Sequence, residues 1–233
     1  MPDVRWRVER FGQLSSTQDE LKRRLQSGEP VDGLVIRAAE QTAGRGQRQR
    51  DWLSGAGGSW QSAALKGPVL PAAGLFIAIG VAQALNSALA GNRLQLKWPN
   101  DLLLGGKKAG GLLCENSSGH LLAGVGVNVH NEVPPGAARL EELEPSVVDE
   151  LVLRGISAGW QLMHSNSSEL AALWASLDAL AGQQLVLRWR DTTISGTAAG
   201  IDPTGRLRLL TAAGEKLLDS AAELRGPLRR SGN

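Results

Sequence analysis

The chain has 233 residues, 42% of them apolar, which is enough for one large packed domain or a domain with a small appendage and excludes a disordered or fibrous polymer. Its net charge of only +2 excludes the strong overall field of a dedicated nucleic-acid binder, so local basic patches matter more than the total. The single cysteine, Cys114, has no partner for an intramolecular disulfide.

No signal peptide or apolar run of membrane-spanning length is visible, so a cytoplasmic location and no membrane association are expected. His120, His130 and His164 lack ligand spacing and partner cysteines, which argues against a structural zinc site.

Taken in order, Val4 to Phe11 alternates weakly and predicts an edge strand. Ser16 is placed to cap a helix from Thr17 to Gln26, with Asp19 three residues on and Gly28 as the stop. Gly33 to Ala39 reads as a short apolar strand leading into Glu40, Gln41 and the run from Ala39 to Trp52. There Gly44 and Gly46 flank Arg45, so the backbone can fold back and expose N–H groups, while Arg45, Arg48 and Arg50 add cationic side chains. That combination suits an anionic ligand, although the stretch is neither a P-loop nor a dinucleotide fingerprint.

Ser59 to Leu65 predicts the next strand, and Pro71 to Ala90 a helix apolar almost all round, buried against a sheet and ended by Gly91. Leu94 to Trp98 is a strand stopped by Pro99, and Gly105-Gly106 between apolar runs is a hairpin signal. Leu121 to Val129 follows as a strand in which Gly124 and Gly126 allow close approach of backbone or ligand. Helices are expected over Val147 to Met163 and Glu169 to Leu180, the second capped by Ser167 or Ser168. After Gly182 the pattern alternates, with Leu185, Leu187 and Trp189 on one face and Val186, Arg188 and Arg190 on the other. Turn signals at 202–205 and 213–214 then indicate a small barrel of short strands.

Four blocks in a fixed order resemble the biotin protein ligase family: Ser-Ser-Thr-Gln-Asp at 15–19, the Ala-Gly-Arg-Gly loop at 43–46, Lys-Trp-Pro-Asn-Asp at 97–101 with Lys-Lys-Ala-Gly-Gly at 107–111, and Gly-Val-Gly-Val-Asn-Val at 124–129. The resemblance runs from Val8 to Gly226 and implies an α+β fold: a mixed central sheet flanked by helices, class II synthetase-like, over residues 1–180, and an SH3-like β-barrel over 181–233. It implies an enzyme that activates biotin with ATP and Mg²⁺ as biotinyl-5'-AMP and transfers it to a lysine of a biotin carboxyl carrier protein, the acetyl-CoA carboxylase subunit.

The same resemblance implies biotin contacts from Ser16, Thr17, Gln18, Gln41, Arg45, Gly46, Gln47, Lys108 and Gly111. ATP or adenylate contacts fall on Gly44, Arg45, Arg48, Arg50, Trp52, Lys97, Asn100 and Asn128. Arg45, Lys108 and Asp101 are the implied catalytic groups, and Asp101 is the candidate Mg²⁺ ligand. The neighbouring register, Lys107 with Gly110, stays open as the alternative to Lys108 with Gly111.

Only fifteen residues precede Ser16, so no DNA-binding winged helix and no specific DNA binding are expected; monomer and homodimer both stay open. The chain departs from the family where a further arginine is usual, at Gln47, which predicts weaker retention of the adenylate. Two other readings are a lipoate or octanoyl transferase of related fold, and a non-catalytic nucleic-acid-binding module using Arg45, Arg48, Arg50, Arg188 and Arg190.

Overall fold

The structure, a computed structural model, describes residues 4–91, 94–165, 167–220 and 222–224, so Gly226 and the rest of the C-terminus lie outside it. Strands β1 (Arg7–Leu14), β2 (Leu34–Gln41), β3 (Ser59–Lys66), β4 (Leu94–Lys97), β5 (Asp101–Leu104), β6 (Lys107–Ser117) and β7 (His120–Val127) make one seven-stranded sheet in the order β1-β2-β3-β7-β6-β5-β4. Only β1 and β2 pair in parallel; the remaining ladders are antiparallel, which makes the sheet mixed. Because side chains alternate along a strand, β2 sends Val35 to one face and Leu34 and Ile36 to the other, and both faces are covered.

Helix α1 (Thr17–Gln26) is the crossover between the parallel strands and lies over the second face, burying Leu21 against Leu34, Ile36, Ala64 and Leu122. It begins as the sequence dictates: the Ser16 hydroxyl accepts from the Asp19 amide at 3.4 Å, and Gly28 ends the turn at φ +78.

The large core lies on the other face, under α2 (Ala73–Asn86) and α3 (Pro145–Ser165). Helix α2 is shorter than the 71–90 span expected, because the Asn86 amide is used to tie its end to β4. Asn86 Nδ2 donates to the Leu94 carbonyl at 3.1 Å and Asn86 Oδ1 accepts from the Leu94 amide at 2.9 Å.

The two helices approach so closely because glycines face one another. An added Cβ at Gly80 would stand 2.2 Å from the Gly155 carbonyl oxygen, and one at Gly159 would stand 2.4 Å from that of Phe76.

The second expected helix is also shorter. Residues Ser167–Glu169 form a 3-10 turn, Glu169 rather than a serine occupies the N-cap without a side-chain bond, and α4 (Leu170–Ala175) stops early. The chain stops there because its backbone is needed elsewhere: Leu96 donates to the Leu177 carbonyl at 2.7 Å and Ala179 donates to that of Leu96 at 2.8 Å, covering the β4 edge.

Beyond Gly182, β8 (Gln184–Trp189), β9 (Thr192–Ile201), β10 (Leu207–Thr211), β11 (Gly214–Leu218) and β12 (Glu223–Leu224) form a separate five-stranded antiparallel sheet in the order β11-β10-β9-β8-β12. Leu185, Leu187, Leu207, Leu209 and Leu218 fill its inner face, while Val186 and Arg188 point outward as the alternation requires. The Trp98 indole, donating to the Gly205 carbonyl at 3.0 Å, joins the two sheets. Cys114 packs its Cβ beside Gly74 of α2, and burial pushes its thiol up to about 12, far from a reactive thiolate.

The glycine interlock is directly testable. Gly159→Ala forces a methyl group into backbone and is expected to destabilise the fold by about 1–3 kcal/mol, read as a lower urea midpoint. An unchanged midpoint contradicts the interlock.

Candidate active site

A cavity of about 490 Å³ opens on the sheet, floored by β6, β7 and β3 and walled by the start of α1, the 44–52 loop, the 98–101 turn and the C-terminal sheet. It exists because the floor lacks side chains. Gly111 pairs with Gly126 and Leu113 with Gly124 in the β6–β7 register. An added Cβ at Gly124 would stand 2.8 Å from Gln18 Oε1, and one at Gly126 would stand 2.7 Å from Trp52 Nε1.

One end of the cavity is a compact set of neutral polar groups. The Thr17 and Ser62 hydroxyls lie 2.8 Å apart, the Thr17 amide donates to Gln41 Oε1 at 2.8 Å, and Gln41 Nε2 donates to the Ser54 hydroxyl at 2.9 Å. Gln18 is 4% exposed, and its Oε1 has no hydrogen-bond partner in the protein.

The middle is charged. Lys108 Nζ contacts Asp101 at 2.6 Å and lies 4.9 Å from the centroid of the Trp52 ring, while Lys97 stands 3.7 Å from the same carboxylate. An ammonium has three donors, so a carboxylate and an aromatic face leave Lys108 with capacity for a ligand. Arg45 pairs with Asp19 at the start of α1, and its buried Nε has no partner in the protein.

The 44–52 loop folds as a tight return. The Trp52 amide donates to the Gly44 carbonyl and the Gly46 amide to that of Arg50, both at 2.8 Å, with Arg48 and Gln49 at φ 57 between them.

Every predicted site residue except Gly44 lines this cavity. Gly44 stands behind it, where a Cβ would meet the Ser54 hydroxyl at 2.4 Å and the Trp52 carbonyl at 2.5 Å; its role is to let the loop pack. The Gly46 N–H, expected to face an anion, is taken by Arg50. Lys108 and Gly111 line the cavity, whereas Lys107 is exposed and, like Gly110, is not among the lining residues.

Several expected ligand groups prove to be engaged by the protein. Asn100 Nδ2 donates to the Leu112 carbonyl at 2.7 Å, fastening the 98–101 turn to β6. Asn128 donates to the Ala138 carbonyl at 3.1 Å and accepts from Asn131 at 3.2 Å, which pins the 128–140 segment. Arg48 and Arg50 both pair with Glu223 of β12, and Arg48 also donates to the Ser220 and Ala222 carbonyls.

Asp101 is shared by two ammonium groups, and no cluster of three or more His, Cys, Asp or Glu exists among the described residues. These residues do not fit a protein-held Mg²⁺.

Gln61, Ser62 and Glu223 line the cavity and were not foreseen. Gln61 and Ser62 carry a signal in retrospect: two polar residues inside a strand whose neighbours are apolar. Glu223 carries none, because the loop arginines that bring it to the cavity, Arg48 and Arg50, are more than 170 residues away.

Residues 11–131 match the biotin/lipoate A/B protein ligase family, and residues 182–222 match the biotin protein ligase C terminal domain. The chain is 30% identical to a biotin--[acetyl-CoA-carboxylase] ligase of Mycobacterium tuberculosis, over 94% of this chain and 89% of that protein. It is 32% identical to the enzyme of the same name from Paracoccus denitrificans, over 80% and 88%. Its fold superposes on a biotin protein ligase from Aquifex aeolicus in complex with biotin and ATP, with a TM-score of 0.84 and 29% identity over 94% of this chain and 98% of that one.

The Glu223 contact can be read by proteolysis. Exposed ion pairs are worth about 0.2–1 kcal/mol each, so Glu223→Gln is expected to speed trypsin cleavage after Arg48 and Arg50 by roughly severalfold. An unchanged nicking rate at those two bonds contradicts the contact.

Proposed function

We propose, from the premise that this chain belongs to the biotin/lipoate A/B protein ligase family, that it activates biotin with ATP and passes it to a lysine of a biotin carboxyl carrier protein. The observation that carries the reading is one cavity that has a neutral hydrogen-bonding end, Lys108 in its middle, and Arg45, Arg48 and Arg50 of the loop along its wall. The C-terminal match and the named relatives favour biotin over a lipoyl or octanoyl group. A nucleic-acid-binding module is disfavoured because Arg48, Arg50 and Arg188 gather on Glu223 and Arg190 stacks on Trp189, so those four arginines are already engaged.

The first step joins two anions. The biotin carboxylate, already ionised at neutral pH, attacks the α-phosphorus of ATP; a new C–O–P bond forms and pyrophosphate leaves. No general base is required, and the obstacle is repulsion. Lys108, held in place by Asp101 and the Trp52 face, lies where it neutralises the carboxylate and the charge gathering on the transferred phosphate. Arg45, paired with Asp19, supplies a second cation lining the same cavity. Arg48 and Arg50 exchange Glu223 for the departing phosphates; a Mg²⁺ carried by the nucleotide as part of the substrate would lower the phosphate charge further. In the second step the carrier amine attacks the acyl carbon, the C–N bond forms and AMP leaves.

Within this proposal the catalytic unit spans residues 1–180 and the C-terminal unit 181–233, with Glu223 reaching from the second to the loop of the first. Gln47 lines the cavity as a neutral group in place of a cation, so the adenylate is held loosely.

Two variants, each compared with wild type, test this. Lys108→Ala should slow biotin-dependent pyrophosphate release about 10²–10³-fold, the cost of removing one preorganised charge donor, with biotin affinity changed far less. Gln47→Arg should slow escape of biotinyl-adenylate from the protein. Full pyrophosphate release by the first variant removes Lys108 from the chemistry, and unchanged or faster escape in the second removes the proposed role of Gln47.

A further inference from the structure

The Gln18 side chain sits at the neutral end of the cavity with its two halves treated differently. Its Nε2 is surrounded by acceptors: Glu115 Oε2 at 2.8 Å, the Leu122 carbonyl at 3.3 Å and the Leu113 carbonyl at 3.4 Å. Rotating the amide by a half-turn would set Oε1 against those three oxygens, so the orientation is fixed. Oε1 is thereby aimed at Gly124 on the cavity floor and has no partner in the protein, although Gln18 is 96% buried as the complement of its 4% exposure. A buried acceptor left in this way costs about 1–3 kcal/mol unless a ligand supplies the donor.

What holds the amide is an ion pair outside the cavity. Lys22, one turn along α1 from Gln18, contacts Glu115 Oε1 at 2.7 Å, so each carboxylate oxygen of Glu115 has one donor. Burial opposes ionisation of Glu115, but the hydrogen bonds from Lys22 and Gln18 and the charges of Lys22 and Arg45 outweigh it and hold the carboxyl below its usual range. Glu115 thus presents one acceptor oxygen to Gln18 and the other to Lys22, whereas a glutamine there has one oxygen and its NH₂ group can only donate.

We propose that Lys22 and Glu115 are positioning residues for substrate recognition, locking the Gln18 amide so that Oε1 accepts an N–H from the bicyclic ring of biotin. This rests on the biotin reading above and adds to it a relay, Lys22 to Glu115 to Gln18 to ring N–H, of which only the last member touches substrate. It also explains why β7 has glycine at 124, since any Cβ there would occupy the position where ring and amide meet.

The test uses the full chain in the complete assay with ATP, Mg²⁺, biotin and a carrier domain. Glu115→Gln and Lys22→Met are each expected to raise KM for biotin about tenfold, the effect of one lost or misaligned hydrogen bond, with KM for ATP and kcat within about twofold of wild type. Lys22→Arg, which keeps the charge, should restore most of the biotin KM. A biotin analogue with a ring N–H replaced by oxygen gives a second readout: wild type should discriminate strongly against it, and Glu115→Gln should lose most of that discrimination.

Biotin KM unchanged in both variants, or biotin, ATP and kcat defects that fall together with a lowered melting temperature, overturns the relay in favour of a merely structural ion pair. Failure of the wild-type chain to use biotin at all would instead remove the functional reading, so the two failures are separable.

Discussion

The cavity depends on what its floor omits. Strands β6 and β7 would normally carpet that face of the sheet with side chains, and at Gly111, Gly124 and Gly126 they do not. Gln18 and Trp52 approach the vacant positions to 2.8 and 2.7 Å of where a Cβ would lie, so the floor is a bare backbone overlooked by a fixed amide at one end and an indole at the other. Glycine in a strand interior weakens a sheet, and here it sits in central strands with long ladders on both sides, where the loss is easiest to bear.

Onto that floor the fold brings charge already paired. Lys108 is shared with Asp101, Arg45 with Asp19, and Arg48 and Arg50 with Glu223. Isolated cations crowded around a half-buried cavity would repel one another and raise the cost of the empty state; each carboxylate lowers that cost and defines a geometry. The pairs differ in what they lock. Asp101 holds the Lys108 ammonium beside the Trp52 ring, whereas Glu223 reaches from a separate sheet to hold Arg48 and Arg50 of the loop.

Much of this was legible in the residues. The Ser16 cap, the Gly28 stop and the bounds of α1 follow from local hydrogen bonding, and the Gly105-Gly106 turn from its need for positive φ, which both glycines adopt. The alternation from Leu185 onward gave the correct inner face of the second sheet. Most of the candidate site was legible too, because its members cluster in short blocks that the chain brings to one cavity. The errors share a physical origin: they concern backbone and side chains recruited by distant segments. Helix α4 ends early because residues 177–179 must cover β4, and α2 ends early because Asn86 is drawn away to Leu94. Asn100, Asn128, Arg48 and Arg50 line the cavity as expected, and what the residues did not show is that the two amides also pin loops and the two arginines also pair with Glu223. The close glycine packing of α2 on α3 was missed because a uniformly apolar helix gives no sign of which small residues face its neighbour.

The most direct test of the account is calorimetric titration of the intact chain and its Gly124→Ala variant with biotin and, separately, with ATP. If the bare floor admits the ring, the added methyl group, which also crowds the Gln18 amide, should weaken biotin binding by at least about tenfold while ATP binding stays near wild type. Undiminished biotin affinity in the variant would show that the ring is held elsewhere and would contradict the account at its base.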